Sequence, residues 1–255
     1  MLKYHKILTH KKVGSDYNMA NQYGAKPIVG KGLVFCVDAI DKHSYSGTGT
    51  SLTDVVGNAT GTISGATFTN NTFSFDGTND TVNMGSILHF TGTEPWTVQA
   101  WCYFDDAKQW QSLCGDRKGS GNYNGWGIYA MGGSSWSSVQ KTALNIKRSG
   151  GNEIKCHGDA TVPTTTWVNK TVSYNGNEDV SGVKMYQNTV EETVSSLTNT
   201  LSGWDAVTDD WYIGSRAGGA DWFKGDIALI LVYDRELTAN HILQNYNASK
   251  ERFGL

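Results

Sequence analysis

Between residues 96 and 104 two kinds of side chain alternate. Trp96, Val98, Ala100, Cys102 and Phe104 fall on one face of a strand, and Thr97, Gln99, Trp101 and Tyr103 on the other. The first set predicts a core-facing row. The second is polar and aromatic, a surface able to meet a ligand. Shorter β-branched and aromatic runs predict further strands at 31–38, 62–68, 73–75, 81–84, 111–114, 125–130, 142–147, 154–157, 211–214 and 226–233. Runs at 167–174 and 183–187 read as a hairpin closed by Asn175-Gly-Asn-Glu-Asp. Gly, Ser and Asn clusters separate these runs, with Asp76-Gly-Thr-Asn-Asp as the turn between the strands at 73–75 and 81–84. One segment has helical period instead. From 239 to 253, Ala239, Ile242, Leu243 and Tyr246 share a face, and Thr238 stands at the N-cap. Many short strands with regular turns predict an all-β, two-sheet antiparallel jelly-roll sandwich with one short C-terminal helix.

Residues 1–30 show no periodicity and are expected to form an extended N-terminal arm, leaving 31–255 as one domain. Residues 1–18 of the arm carry Lys3, Lys6, Lys11 and Lys12 against Asp16, although the whole chain of 255 residues carries −3. A basic arm before an acidic body suggests a docking segment. Met19 offers a second start, which would make residues 1–18 dispensable. The overall charge argues against a general nucleic-acid binder, and no apolar run is long enough to span a membrane. The first residues lack the apolar stretch of a secretory signal.

Nine Trp in a chain that is only 38% hydrophobic call for a largely aromatic core. Cys36, Cys102, Cys114 and Cys156 have long, irregular spacings with no Cys-x-x-Cys. They are expected to be buried thiols rather than bridges or zinc ligands.

The runs Gly32-Leu-Val-Phe-Cys-Val-Asp-Ala, Ser44-Tyr-Ser-Gly-Thr-Gly-Thr, Phe73-Ser-Phe-Asp-Gly-Thr-Asn-Asp-Thr-Val, Trp96-Thr-Val-Gln-Ala-Trp and Tyr233-Asp-Arg-Glu-Leu-Thr, in that order, resemble the LamG-like, concanavalin A-like jelly-roll family. The closing Gln244-Asn-Tyr-Asn-Ala-Ser-Lys-Glu-Arg-Phe-Gly-Leu looks like the version found in structural proteins of tailed phages. The resemblance covers residues 31–255. It implies two antiparallel sheets, one concave, frequent glycan binding and, in some members, a calcium ion at the sandwich edge.

Three kinds of site follow. Asp76, Asn79 and Asp80 gather oxygen-bearing side chains in one turn, which suits Ca2+ or equally a turn whose side chains bond their own backbone. Trp101, Tyr103, Tyr123, Trp126, Trp136 and Trp222 are candidates for stacking on sugar or a partner, the alternative for each being packing under a loop or in an interface. For catalysis, the family's hydrolases place Glu-x-Asp-x-x-Glu on one strand, and no such run exists here. Glu191 and Glu192 point to opposite faces, and Asp205, Asp209 and Asp210 sit in a turn-like stretch. The six His show no metal-ligand spacing, and there is no Gly-x-Ser-x-Gly or P-loop.

The expectation is a non-enzymatic virion protein, a head decoration or head fibre, assembled in the host cytoplasm and homo-oligomeric. Its arm would grip other virion proteins and its domain would bind glycan or a neighbouring subunit. A tail-fibre or baseplate module for host polysaccharide is the alternative, and a polysaccharide-degrading enzyme the second.

Overall fold

The strands form where the alternation lies, and their two faces decide which sheet each joins. The structure is a computed structural model; its described residues are 12–13, 16–17, 27–90, 92–107, 110–118, 123–133, 137–203, 209–217 and 219–255. The arm lysines Lys3, Lys6 and Lys11 lie outside these residues, as does Trp136. Lys12 falls in β1 (Lys12–Val13), which pairs with β2 (Asp16–Tyr17).

The strands that follow are β3 (Leu33–Asp38), β4 (Ser51–Thr53), β5 (Thr60–Ser64), β6 (Thr67–Thr69), β7 (Thr72–Asp76) and β8 (Thr81–Asn83). Then come β9 (Trp96–Phe104), β10 (Trp110–Gly115), β11 (Gly125–Gly133), β12 (Ser137–Lys147), β13 (Glu153–Thr161) and β14 (Trp167–Tyr174). The last are β15 (Val183–Gln187), β16 (Val190–Glu192), β17 (Ser195–Asn199), β18 (Tyr212–Ile213) and β19 (Lys224–Tyr233), before the helix α1 (Ala239–Ser249). One sheet has the order β17-β13-β12-β11-β10-β18-β8-β5-β4. The other runs β16-β15-β14-β9-β19-β7-β6, with β3 also paired to β19. The named pairings are antiparallel, as a jelly roll requires.

The run at 62–68 is two strands rather than one, because Gly65, at φ +81°, turns the chain between β5 and β6. A Cβ there would lie 1.9 Å from the Asp80 carboxylate, so only glycine fits. Strands β4, β16 and β17 are short edge pieces with exposed polar residues, which left little hydrophobic pattern to read.

Between the sheets lies an aromatic core. Trp96, Trp126, Trp211, Phe35, Phe75, Phe223 and Tyr174 are fully buried. Trp96 and Trp126 meet at 5.0 Å and Phe35 meets Trp211 edge-on at 5.0 Å. The alternation in β9 places Trp96, Val98, Ala100, Cys102 and Phe104 in this core, as expected. All four cysteines are buried and free.

A second apolar layer covers the outer face of the sheet that contains β9. It is built from Ile28, Val29, Leu33, Leu237 and Ile242, packed on Trp101, Leu229, Leu231 and Tyr233. Residues 27–30 therefore pack on the domain. Val29 N donates to Asn245 Oδ1 at 2.8 Å, and Gln244 Nε2 donates to the Pro27 carbonyl at 2.7 Å.

The helix buries Ile242, Asn245 and Ser249, while Leu243, expected on its apolar face, is 43% exposed. The docking seam is polar. Asn245 Nδ2 donates to Gln99 Oε1 at 2.8 Å and to the Tyr233 hydroxyl at 3.0 Å. Gln99 Nε2 in turn donates to Asn169 Oδ1 at 2.8 Å. A helix that docks through hydrogen bonds carries a weak hydrophobic stripe, so the pattern misassigned its face. Beyond it, a 3-10 turn (Lys250–Phe253) closes the chain. There Arg252 forks onto Asp38, with both contacts at 3.0 Å.

Candidate functional site

This second layer corrects the expectation for Trp101. Its face of β9 is covered, so Trp101 is 1% exposed and sits beneath the C-terminal segment. Its ring stacks on Phe253 at 4.2 Å and Tyr246 at 5.3 Å, and Nε1 donates to Ser249 Oγ at 2.8 Å. Tyr103, at the end of the same strand, is half-buried with its ring 5.8 Å from Trp167. Trp126 is also corrected. It belongs to the inward row of β11, is buried in the core, and donates Nε1 to the Leu88 carbonyl at 3.0 Å.

Tyr123 and Trp222 remain at the surface, Tyr123 exposed and Trp222 half-buried. Both lie in loops beside the outer face of the nine-stranded sheet. That face is assembled by register. Asn83, Tyr212, Gly115, Gly127, Asn145, Lys155 and Thr198 pair in sequence across seven strands. They form one row of polar side chains and glycines. Next to it, Tyr129, Met131 and Ala143 make a small apolar patch with Trp110.

The cations of this face are brought there by backbone geometry. Asp116 N and Arg117 N both donate to the Trp126 carbonyl, at 3.1 and 3.0 Å, so two residues oppose one in a β-bulge. The bulge sends neighbouring side chains to different partners. Asp116 turns inward, where Oδ1 accepts from Trp126 N at 2.8 Å. Arg117 reaches the Tyr129 hydroxyl, and it opposes the effect of burial, which raises that phenol above its usual range. Gly127 leaves space for this contact, since a Cβ there would lie 2.3 Å from the Tyr129 hydroxyl oxygen. A parallel bridge between Lys118 and Ala217 brings the next loop alongside, and with it Arg216.

The exposed ring of Tyr123 gathers these groups. Arg117, Arg216 and Lys147 lie 5.7, 5.8 and 5.9 Å from its centroid. Lys155 is near enough to Arg117 and Lys147 to feel their charge. Its ammonium is held below its usual range, by burial first; Glu153 opposes the shift and the two cations add to it. Two carboxylates accompany the cluster. Glu153 is 3.6 Å from Lys147, and Asp221 Oδ2 is 3.3 Å from Arg216 Nε, an ion pair without hydrogen-bond alignment. Arg117 Nε and Asn124 Oδ1 are buried and find no hydrogen-bond partner among the described residues.

A second polar group lies on the other side of Asp116. Ser86 Oγ is 2.8 Å from His89 Nε2, and His89 Nδ1 is 3.2 Å from Asp116 Oδ2. Asp116 is fully buried, and burial raises its pKa against the hydrogen bond from His89. The hydrogen bond to Asp116 in turn raises the His89 pKa, opposed by burial. The loop bearing Ser86 and His89 contains Leu88 at φ +55°, strained for a non-glycine residue.

The turn at 76–80 does not present a cation cage. Asp80 is buried and its Oδ2 accepts from Asp76 N at 2.8 Å, while Asp76 Oδ1 accepts from Thr78 N at 2.7 Å. Asp76 and Asn79 are exposed. Two of the carboxylate oxygens are therefore committed to the backbone, and no group of three or more His, Cys, Asp or Glu placed to hold a metal exists among the described residues. The bonds observed are those of a turn whose side chains bind their own backbone. Glu191 and Glu192 diverge as expected. Glu191 is exposed, whereas Glu192 is buried 3.4 Å from Lys170.

Sequence reasoning missed Arg117, Arg216, Lys147, Lys155 and Tyr129. Only the alternation of β12 and β13 hinted at them, with Asn145, Lys147, Glu153 and Lys155 on one polar face.

A family model described as the concanavalin A-like lectin/glucanases superfamily matches residues 76–243, more than half of the chain. The chain belongs to this superfamily. Its fold is accordingly of the lectin/glucanase kind, and solved structures agree. A Trypanosoma rangeli sialidase in complex with 2,3-difluorosialic acid is similar with a TM-score of 0.63 at 12% identity, over 89% of this chain and 35% of that one. The chain thus spans about a third of the sialidase. Domain 4 of AbnA, a GH43 extracellular arabinanase from Geobacillus stearothermophilus in complex with arabinotriose, is similar with a TM-score of 0.57 at 16% identity, over 84% of this chain and 98% of that one. The binding domain of Paraclostridial Mosquitocidal Protein 1 gives 0.61 at 16% identity, over 85% of this chain and 52% of that one. No curated protein matches the chain.

Proposed function

We propose that this protein is a non-enzymatic carbohydrate-binding structural protein. Its sugar surface is the outer face of the nine-stranded sheet around Tyr123. The observation that carries this reading is an exposed ring, 39% accessible, set among hydrogen-bonding side chains on a rigid sheet. An aromatic face stacks on the C–H side of a sugar while charged and amide groups bind its hydroxyls. The arabinanase domain that shares the fold was solved with arabinotriose, which supports the same use here. The setting we propose is the particle of a tailed phage, as a head decoration or head fibre held through residues 1–26. The closing segment at 244–255 and the lysines of the arm support it. Tyr123→Ala should abolish glycan-array signal at unchanged Tm. A wild-type protein silent on a broad array would remove the reading.

A second reading has one observation in its favour. Ser86, His89 and Asp116 have the order of a nucleophile, base and orienting acid. It predicts hydrolysis of p-nitrophenyl acetate that is lost in Ser86→Ala. If wild type and variant hydrolyse the ester equally, this group only pins the loop.

A further inference from the structure

We infer that the surface around Tyr123 selects anionic sugars, with Arg117 and Arg216 as the receptor for a carboxylate or sulfate group on the ring. This rests on the proposed sugar-binding reading and adds the class of ligand.

The chain as a whole is acidic, at −3, yet four cations meet at this one place. Arg117, Lys147 and Arg216 stand within 6 Å of a single ring centroid, and Lys155 is close enough to be depressed by two of them. Among the described residues, Glu153 is 3.6 Å from Lys147 and Asp221 is 3.3 Å from Arg216, and no carboxylate ion-pairs with Arg117. Gathering like charges beside a half-buried sheet surface is unfavourable. The protein nevertheless builds the cluster with specific backbone devices: the bulge at Asp116 and Arg117, the bridge from Lys118 to Ala217, and Gly127 beneath Tyr129.

Arg117 has no carboxylate partner among the described residues, and its Nε is buried without an acceptor. The contact with Tyr129 fixes the direction of its guanidinium. A planar fork held in place by that contact suits a planar or tetrahedral oxyanion. Tyr123 would stack on the ring that carries the anion, so one sugar residue meets both groups. Arg216 lies near the same ring and is held beside it by Asp221, 3.3 Å from its Nε.

Calorimetric titration of the full chain with three probes tests this. The probes are a polygalacturonate oligosaccharide, the same oligosaccharide after carboxyl reduction, and a sulfated galactan oligosaccharide. At least one anionic probe should bind ten-fold or more tighter than the reduced one. Binding should weaken as salt is raised from about 50 to 300 mM, because the contact is charge-dependent. Arg216→Gln and Arg117→Lys should each lose ten-fold or more for the anionic probe and little for the reduced one. Circular dichroism and Tm report folding, and the Lys variant keeps the charge while removing the fork. The ratio of the two anionic probes distinguishes carboxylate from sulfate. Equal binding of charged and reduced sugars would overturn the inference and leave sugar binding standing. Failure of all three sugars would overturn both.

Discussion

Replacing Trp101 by Ala should unfold the C-terminal closure without touching any ligand. The indole is 1% exposed and stacks against the rings of Phe253 at 4.2 Å and Tyr246 at 5.3 Å. A buried Trp or Phe cut to Ala costs about 3–5 kcal/mol, including the cavity left behind. That range already contains the two ring contacts, each worth roughly 0.5–1.5 kcal/mol, and the hydrogen bond to Ser249, about 1 kcal/mol. For a domain of this size 1 kcal/mol moves Tm by about 2–4 °C, so the fall should be roughly 6–20 °C. Thermal unfolding followed by far-ultraviolet dichroism measures the fall in Tm, and urea unfolding followed by Trp fluorescence measures the free energy. Tyr123→Ala is the control, since an exposed ring should change stability by less than about 0.5 kcal/mol. If Trp101→Ala left stability unchanged and weakened sugar binding, the burial argument would fail and Trp101 would be a ligand contact.

Three other outcomes are expected. Lys170 and Glu192 form a buried pair at 3.4 Å, so Lys170→Met alone should destabilise by about 3–5 kcal/mol in urea; Lys170→Met with Glu192→Leu should recover most of it, and a single variant as costly as the double would contradict the pairing. His89 has its pKa raised chiefly by the hydrogen bond to Asp116, so its stabilising contribution is complete below its unfolded value of roughly 6.5 and is lost as pH rises through the folded value. A plot of Tm between pH 5.5 and 8.5 should show this decline, and His89→Gln should flatten it. Burial pushes the thiols of Cys102 and Cys156 up to about 12, and those of Cys36 and Cys114 up as well. Ellman's reagent should therefore find no reactive thiol in the native protein and four after denaturation; prompt native reaction would refute the burial.

The alternation along the chain was enough to determine that this protein is an antiparallel sandwich with a terminal helix. Each strand must place its apolar side chains on one face, and that demand is written every second residue, as in Trp96, Val98, Ala100, Cys102 and Phe104. The free thiols and the aromatic core were legible for the same reason, since burial depends mostly on composition and local period. What covers the other face of a strand is not local. Trp101 looked open because its alternate row is polar, and only the docking of α1, through Asn245 and Ser249, put it inside. The surface around Tyr123 was hidden for a related reason. Arg117, Lys147, Lys155 and Arg216 come from two strands and two loops, and their meeting depends on register, on one bulge and on the bridge between residues 118 and 217. Register is decided by which strands find each other in space, and tertiary structure alone supplies that.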